Sequence, residues 1–438
     1  MKYSILSILF VLINALAFSQ GNSPFSKFGP GDFYSSNFQS NFSRGGIGVS
    51  SYSGNNLNPV NPASYSQITL TTGECGIYST TNFVEYDNKS SFFSYANLSS
   101  FGLGLPLKKG MGLAFGLAPY SKQNYEYSYI DTLSDNTPVE YIYAGDGGLS
   151  KVFMGYGFDI KNLSFGFNGH YIFGRLNSKN KVKHPTDNSN VYNSLRIRNY
   201  SNVGGFGLNT GMQLNINTGN NNYLKLGGAF DFGKEYSTSN YTLGNYFNEQ
   251  PHLANPDKLG DVEFHLTENI IDTRENPSDG QIILPSQVQL GISTGEYEKW
   301  EMSIEFKHND LSTFKLNNEI ANLVNKNKFI LGGRLVPNAK ASGKSNYWKT
   351  MTYSVGGFIG NSGYFLNNSE LQEFGINFAF GLPMKKFKYQ TETFGSKVFL
   401  GFGYLNRSNS DEGLYENYLN INASIILNDK WFIKRKFQ

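Results

Sequence analysis

The chain has 438 residues, of which 16% are charged and 16% aromatic, with 48 glycines, 36 phenylalanines and 29 tyrosines, far more glycine and aromatic than an ordinary globular chain carries. A formal net charge of +3 over this length leaves no basic excess for a nucleic-acid partner. The single cysteine, Cys75, excludes an internal disulfide and, lying far from the N-terminus, a lipid anchor there.

The first predicted element is a cleaved secretory leader over residues 1–19. Lys2 supplies a positive start, Ile5 to Phe18 is almost unbroken apolar sequence, and Ala17-Phe18-Ser19 offers small residues before Gln20. The apolar run is too short for a comfortable membrane helix, and no later stretch approaches the roughly 20 apolar residues such a helix requires. Any membrane span is therefore expected to be β.

Residues 20–67 are rich in Gly, Ser, Asn and Pro, and are too long for a turn. Disordered segments are poor in aromatics, yet this one carries Phe25, Phe28, Phe33, Tyr34, Phe38 and Phe42. A plug inside a barrel lumen is the expected fold of this segment. Two closely spaced pairs, Asn58-Pro59 and Asn61-Pro62, the second followed by Ala63, predict a stiff, non-helical corner that fixes the exit toward the first strand. Proline locks its own φ and disfavours helix in the residue before it.

From residue 68 to 438 the pattern has period two, the signature of barrel strands with one face on lipid and one on the lumen. Fourteen strands are predicted: Ile68–Tyr86, Ser91–Leu105, Met111–Tyr129, Val139–Asp159, Leu163–Lys181, Leu195–Asn217, Tyr223–Tyr246, Ile283–Gly295, Lys299–Leu316, Lys328–Val336, Met351–Phe365, Leu371–Phe387, Lys397–Arg407 and Tyr415–Leu427. The register puts Phe165, Phe167, Leu208, Leu214, Ile304, Phe378 and Ile421 on lipid. It puts Lys225, Asp231, Glu301, Glu305, Lys307, Lys328 and Arg334 inside, either as a network bracing the wall against the plug or as a polar ring that gates it. A soluble sandwich shows the same alternation. The leader, the length and the aromatic strand ends favour an all-β transmembrane antiparallel barrel in the outer membrane. Short turns are expected on the periplasmic side, and long polar connections such as Asn248 to Gly280 outside.

Catalytic machinery is not apparent. His170, His184, His252, His265 and His308 show no metal-ligand spacing, and neither a nucleophile elbow nor a phosphate-cradling loop is present. No enzyme activity, cofactor or metal is expected; His170, facing inward, is the one histidine placed for a distant pairing.

Three runs resemble the FadL/TodX family of outer-membrane hydrophobic-substrate transporters: Asn55 to Ser64 (NNLNPVNPAS) after Arg44-Gly45-Gly46-Ile47-Gly48, the strand opening Leu284-Pro285-Ser286-Gln287-Val288-Gln289-Leu290-Gly291, and the ending from Leu427 to Lys436. The resemblance implies a hatch and fourteen strands, with Asn58, Pro59, Asn61, Pro62 and Ala63 as the hatch motif. Two departures stand out: Ser64-Tyr65 follows Asn61-Pro62-Ala63, and Gln438 follows the terminal aromatic Phe437. The implied function is passive uptake of a hydrophobic small molecule, fatty acid-like or aromatic. The alternative is an accessory subunit among other outer-membrane proteins, as in secretion machinery. Outer-membrane lipid is the expected surrounding in either case. Tyr120, Tyr125, Tyr127 and Tyr129 suit either a ligand surface or an interfacial aromatic belt.

Overall fold

The computed structural model describes residues 23–431 except 35–37, 52–53, 87–88, 135–136, 185–193, 220, 251–261, 266–269, 318, 321–322, 342, 367–368, 385–386, 390–391 and 412. The expected leader, the start at Gln20, His252, much of the 248–280 connection and the chain from residue 432 onward lie outside the described residues.

Alternating apolar and polar side chains build fourteen wall strands. These are β1 (Thr71–Tyr86), β2 (Lys89–Lys108), β3 (Met111–Thr132), β4 (Pro138–Ile160), β5 (Leu163–Lys183), β6 (Ser194–Gly219), β7 in two pieces (Asn222–Asp231 and Lys234–Gln250), β8 in two pieces (Ser278–Leu284 and Gln287–Glu296), β9 (Trp300–Asn309), β10 (Lys326–Leu335), β11 (Thr352–Leu366), β12 (Ser369–Pro383), β13 (Lys397–Asn409) and β14 (Leu414–Asp429). Each pairs antiparallel with its chain neighbours, and β14 returns to β1 from Thr71↔Asp429 to Glu85↔Tyr415, closing the barrel. Closure satisfies the backbone of both end strands, which lipid would otherwise leave unpaired.

Ile304, Phe167, Phe378, Ile421 and Leu208 are exposed on the outside, and Phe165 and Leu214 are half-buried on the same face. Between them Ser164, Asn168, Glu305, Asn377 and Asn422 are buried inside. No helix among the described residues is long and apolar enough to cross a membrane, so the strands carry the span.

The wall has two heights. A spanning strand needs about 9–11 residues, which β9 and β10, with 10 each, just supply, whereas β4 has 23 and β6 has 26. One half of the barrel therefore rises well beyond the membrane. Where it begins to rise, β7 and β8 are interrupted together, at Phe232-Gly233 and at Pro285-Ser286. Pro285 has no N–H to give the ladder, and a Cβ at Gly233 would press on the Ser286 nitrogen, so the two strands bend at one level.

Several expectations are corrected. Ile68 caps a 3-10 turn and the first strand starts at Thr71. The strand predicted to reach Leu316 ends at Asn309, because Leu311–Thr313 turns and buries Leu311. The strand predicted to reach Phe387 ends at Pro383. Short and long connections do not sort cleanly by side. The tight turns after Lys108, Ile160 and Gly219 share their end of the barrel with the longer connections between Leu335 and Thr352 and between Pro383 and Lys397.

The chain ahead of β1 runs through the lumen. It forms a 3-10 turn (Pro24–Lys27), a two-residue pairing of Asp32 and Phe33 with β3, a short helix α1 (Gln39–Phe42) and a second 3-10 turn (Pro62–Gln67). Its partners surround it. The Gln39 N–H donates to Glu74 of β1 at 2.8 Å, Asn377 of β12 donates to the Phe42 carbonyl at 2.7 Å, and Gln213 of β6 donates to the Val49 carbonyl at 2.9 Å. Phe38, Leu57, Tyr65 and Ile68 pack on Ala114 and Ala118 of β3 and Phe153 of β4. Phe25 joins a second apolar cluster with Leu149, Ile172, Val203, Ile282 and Phe314.

Candidate functional site in the barrel lumen

Only three charged residues occur between Gln20 and Gln67, namely Lys27, Asp32 and Arg44, and each docks on the wall. Lys27 Nζ donates to Tyr127 Oη and sits over the Tyr127 and Tyr143 rings at 5.1 and 5.3 Å. Asp32 Oδ1 accepts from Arg407 Nη2 and from Tyr364 Oη, both at 3.0 Å, and Arg407 also pairs with Glu416 at 3.2 Å. Arg44 pairs with Glu301 of β9, whose carboxylate also accepts from Ser51 Oγ at 3.1 Å and from Tyr223 Oη at 2.5 Å. Burial pulls the Arg44 guanidinium below its ordinary value, with the Glu301 carboxylate opposing.

Glu305, two inward positions further along β9, grips backbone. It accepts from the Gly48 N–H at 3.0 Å, the Ser50 N–H at 2.9 Å and Ser50 Oγ at 3.0 Å, and Gln289 completes the set at 2.6 Å. The backbone comes close to the wall here because the wall beside it is bare: a Cβ at Gly227 would collide with the Val49 carbonyl.

The Asn-Pro residues lie where the segment leaves the lumen. Asn58 donates to the Gly48 carbonyl at 2.7 Å and accepts from Asn41 at 3.0 Å, and Asn168 of β5 donates to the Pro59 carbonyl at 3.3 Å. Asn61 donates to the Val49 and Met212 carbonyls at 2.7 and 3.1 Å. Its oxygen accepts from the Ala63 N–H at 3.0 Å. This last bond revises the non-helical corner. Asn61 itself is extended, at φ −125° and ψ 105°, as a residue before proline should be. Pro62, however, opens a 3-10 turn capped by Asn61, since proline's fixed φ suits a first helical position.

Among the other inward charges, Lys225 donates to Gln67 at 2.9 Å, Arg334 lies 3.8 Å from Glu301, and Asp231 lies 3.7 Å from Lys151. Glu373 of β12 takes both Lys328 and, at 2.9 Å, Lys326. Lys307 has no hydrogen bond or ion pair among the described residues. His170 is buried with Nε2 3.4 Å from Tyr236 Oη. No cluster of three metal-ligating side chains is present among the described residues.

A cavity of about 120 Å³ lies between the luminal segment and the wall. Two edge-on aromatic pairs line one side, Phe33–Tyr120 at 5.5 Å and Phe38–Phe153 at 6.1 Å, each joining the segment to a strand. Above it, Tyr125, Tyr127, Tyr143, Tyr129 and Tyr141 form a stacked series with consecutive centroids 5.2–6.2 Å apart on the tall wall of β3 and β4. A bulge between Pro119 and Ser121 shifts the register of β3, which brings these tyrosines to the side of Lys27. They line the mouth rather than a lipid-facing belt.

Sequence reasoning did not single out Lys27, Asp32, Arg44, Arg407 or Glu373. The signal was available for the first three, since a lone charge in an otherwise uncharged luminal segment requires a partner on the wall.

The barrel is FadL-like in fold. It is similar to a FadL homologue of Pseudomonas aeruginosa (10% identity, TM-score 0.56, 91% of this chain and 99% of that one) and to the Pseudomonas putida toluene transporter TodX (12%, 0.52, 91% and 98%). It is also similar to the monoaromatic hydrocarbon channel CymD (12%, 0.50, 92% and 98%). No curated protein sequence matches. A family model described as BamG matches residues 1–438.

Proposed function

The chain belongs to the BamG family, and from its FadL-like fold and the geometry of its lumen we propose that it is an outer-membrane barrel for passive uptake of a small hydrophobic compound, with the segment ahead of β1 as its plug. The observation that carries this reading is the cavity bounded by the Phe33–Tyr120 and Phe38–Phe153 pairs. Half of each pair belongs to the segment, so a shift of the segment opens the cavity as it releases the ligand. The stacked tyrosines at the mouth supply an aromatic approach to it. TodX is a toluene transporter and CymD a monoaromatic hydrocarbon channel, both for compounds of one ring, and an apolar cavity of roughly 150 Å³ accepts benzene. Labelled toluene uptake by cells with and without the chain tests the reading, which requires faster entry with it.

A second reading, an accessory subunit of an outer-membrane protein complex, is favoured by how little of the lumen is empty. The cavity is well below the roughly 300–1,000 Å³ of a drug-sized ligand site. Under this reading a tagged chain copurifies with stoichiometric outer-membrane partners and toluene entry is unaffected by its loss.

A further inference from the structure

The charges around the luminal cavity do not balance. Its lining carries four ammonium groups, Lys151, Lys307, Lys326 and Lys328, and one carboxylate, Asp231. Lys151 faces Asp231 at 3.7 Å. Glu373, just behind the lining, takes both Lys326 and Lys328. Two carboxylates thus serve four ammoniums, and Lys307 is left without a hydrogen bond or ion pair among the described residues. Lys307 shares the fields of Asp231 and Glu373 with the three other ammoniums, and an ammonium held away from bulk water with so little counter-charge is costly. Filling the cavity with a neutral hydrocarbon removes its remaining water and makes the imbalance worse.

We propose that this cavity binds an aromatic carboxylate, with the ring between the Phe33–Tyr120 and Phe38–Phe153 pairs and the carboxylate on Lys307. The assignment rests on the uptake reading for the presence of a ligand and adds the ligand's charge. A carboxylate supplies the missing negative charge and takes charge-assisted hydrogen bonds. Gln287 and Asn309 also line the cavity, and an amide side chain carries N–H groups that can donate to the second oxygen. The volume of about 120 Å³ matches one ring.

Equilibrium dialysis of the purified full chain in detergent with benzoate, with benzyl alcohol, a neutral molecule of the same ring, and with toluene tests the proposal. Benzoate should bind at least about tenfold more tightly, the scale of one charge-assisted hydrogen bond. Lys307→Met should abolish the difference and Lys307→Arg should retain it, the heat-modified electrophoretic shift verifying that each variant is folded. Equal or tighter binding of benzyl alcohol to the unaltered chain overturns the proposal without any variant, as does a preference that survives Lys307→Met. If toluene and benzyl alcohol bind while benzoate does not, the charge assignment falls and the uptake reading stands. If none of the three binds, both fall.

Discussion

Glu305→Ala should free the luminal segment while leaving the barrel wall in place. The Gly48 and Ser50 amides and the Ser50 hydroxyl end on this carboxylate at 2.9–3.0 Å, in a site where Glu305 and Ser50 are both buried. Removing the acceptor orphans two buried backbone N–H groups at roughly 1–3 kcal/mol each, a loss of about 2–6 kcal/mol. At about 3 kcal/mol the undocked population of the segment rises on the order of 100-fold, since every 1.4 kcal/mol is a factor of ten. The β9 ladder to β8 and β10 is made by backbone and does not depend on this side chain. Hydrogen exchange read by mass spectrometry on the chain in lipid nanodiscs separates the two levels. The peptide spanning residues 45–51 should exchange about 100-fold faster in Glu305→Ala, peptides of β9 and β10 should be unchanged, and Glu305→Gln, which keeps one acceptor oxygen, should lie between. Equal exchange of the 45–51 peptide in variant and parent would refute the assignment of Glu305 as its anchor.

Phe378→Arg should cost about 2–4 kcal/mol in a folding titration into lipid vesicles, because Phe378 is exposed on the outer face of β12; unchanged stability would contradict that register. Asn61→Ala combined with Pro62→Ala removes the cap of the second 3-10 turn and three carbonyl contacts. It should weaken docking of the segment by about 2–4 kcal/mol and reduce ligand uptake, and wild-type uptake in a folded double variant would remove the corner from the mechanism. Mass spectrometry of the mature N-terminus from outer-membrane fractions should find Gln20 first; an intact Met1 would remove the export argument.

The wall was legible because each strand writes its two environments into alternate residues. In β5, Phe165 and Phe167 face outward while Ser164, Asn168 and His170 face inward, and pairing to β4 and β6 follows without a register shift. Breaks in that rule were not legible. The shift after Pro119 turns Tyr125, Tyr127 and Tyr129 to the lumen, and a sequence read at period two carries no mark of an inserted residue. The joint break of β7 and β8 pairs Gly233 with Pro285-Ser286 across strands more than 50 positions apart, a juxtaposition that only register reveals. Within the lumen, parity placed Glu301 and Glu305 inward, but their partners Arg44, Gly48 and Ser50 lie in a segment with no period. Its path is set by Asn side chains binding backbone carbonyls and by bare glycines on the wall, neither of which has a spacing to read.

The central claim, that the segment ahead of β1 plugs the barrel, is tested most directly by conductance. Deleting Asn22 to Asn56, with the leader and Asn58 to Ser64 kept, removes Arg44 and the Gly48–Ser50 backbone held by Glu301 and Glu305 but spares the capped turn that leads into β1. In planar bilayers the parent should be silent and the deletion should conduct as an open channel. A deletion that inserts with the electrophoretic behaviour of a folded barrel and stays as silent as the parent would contradict the account.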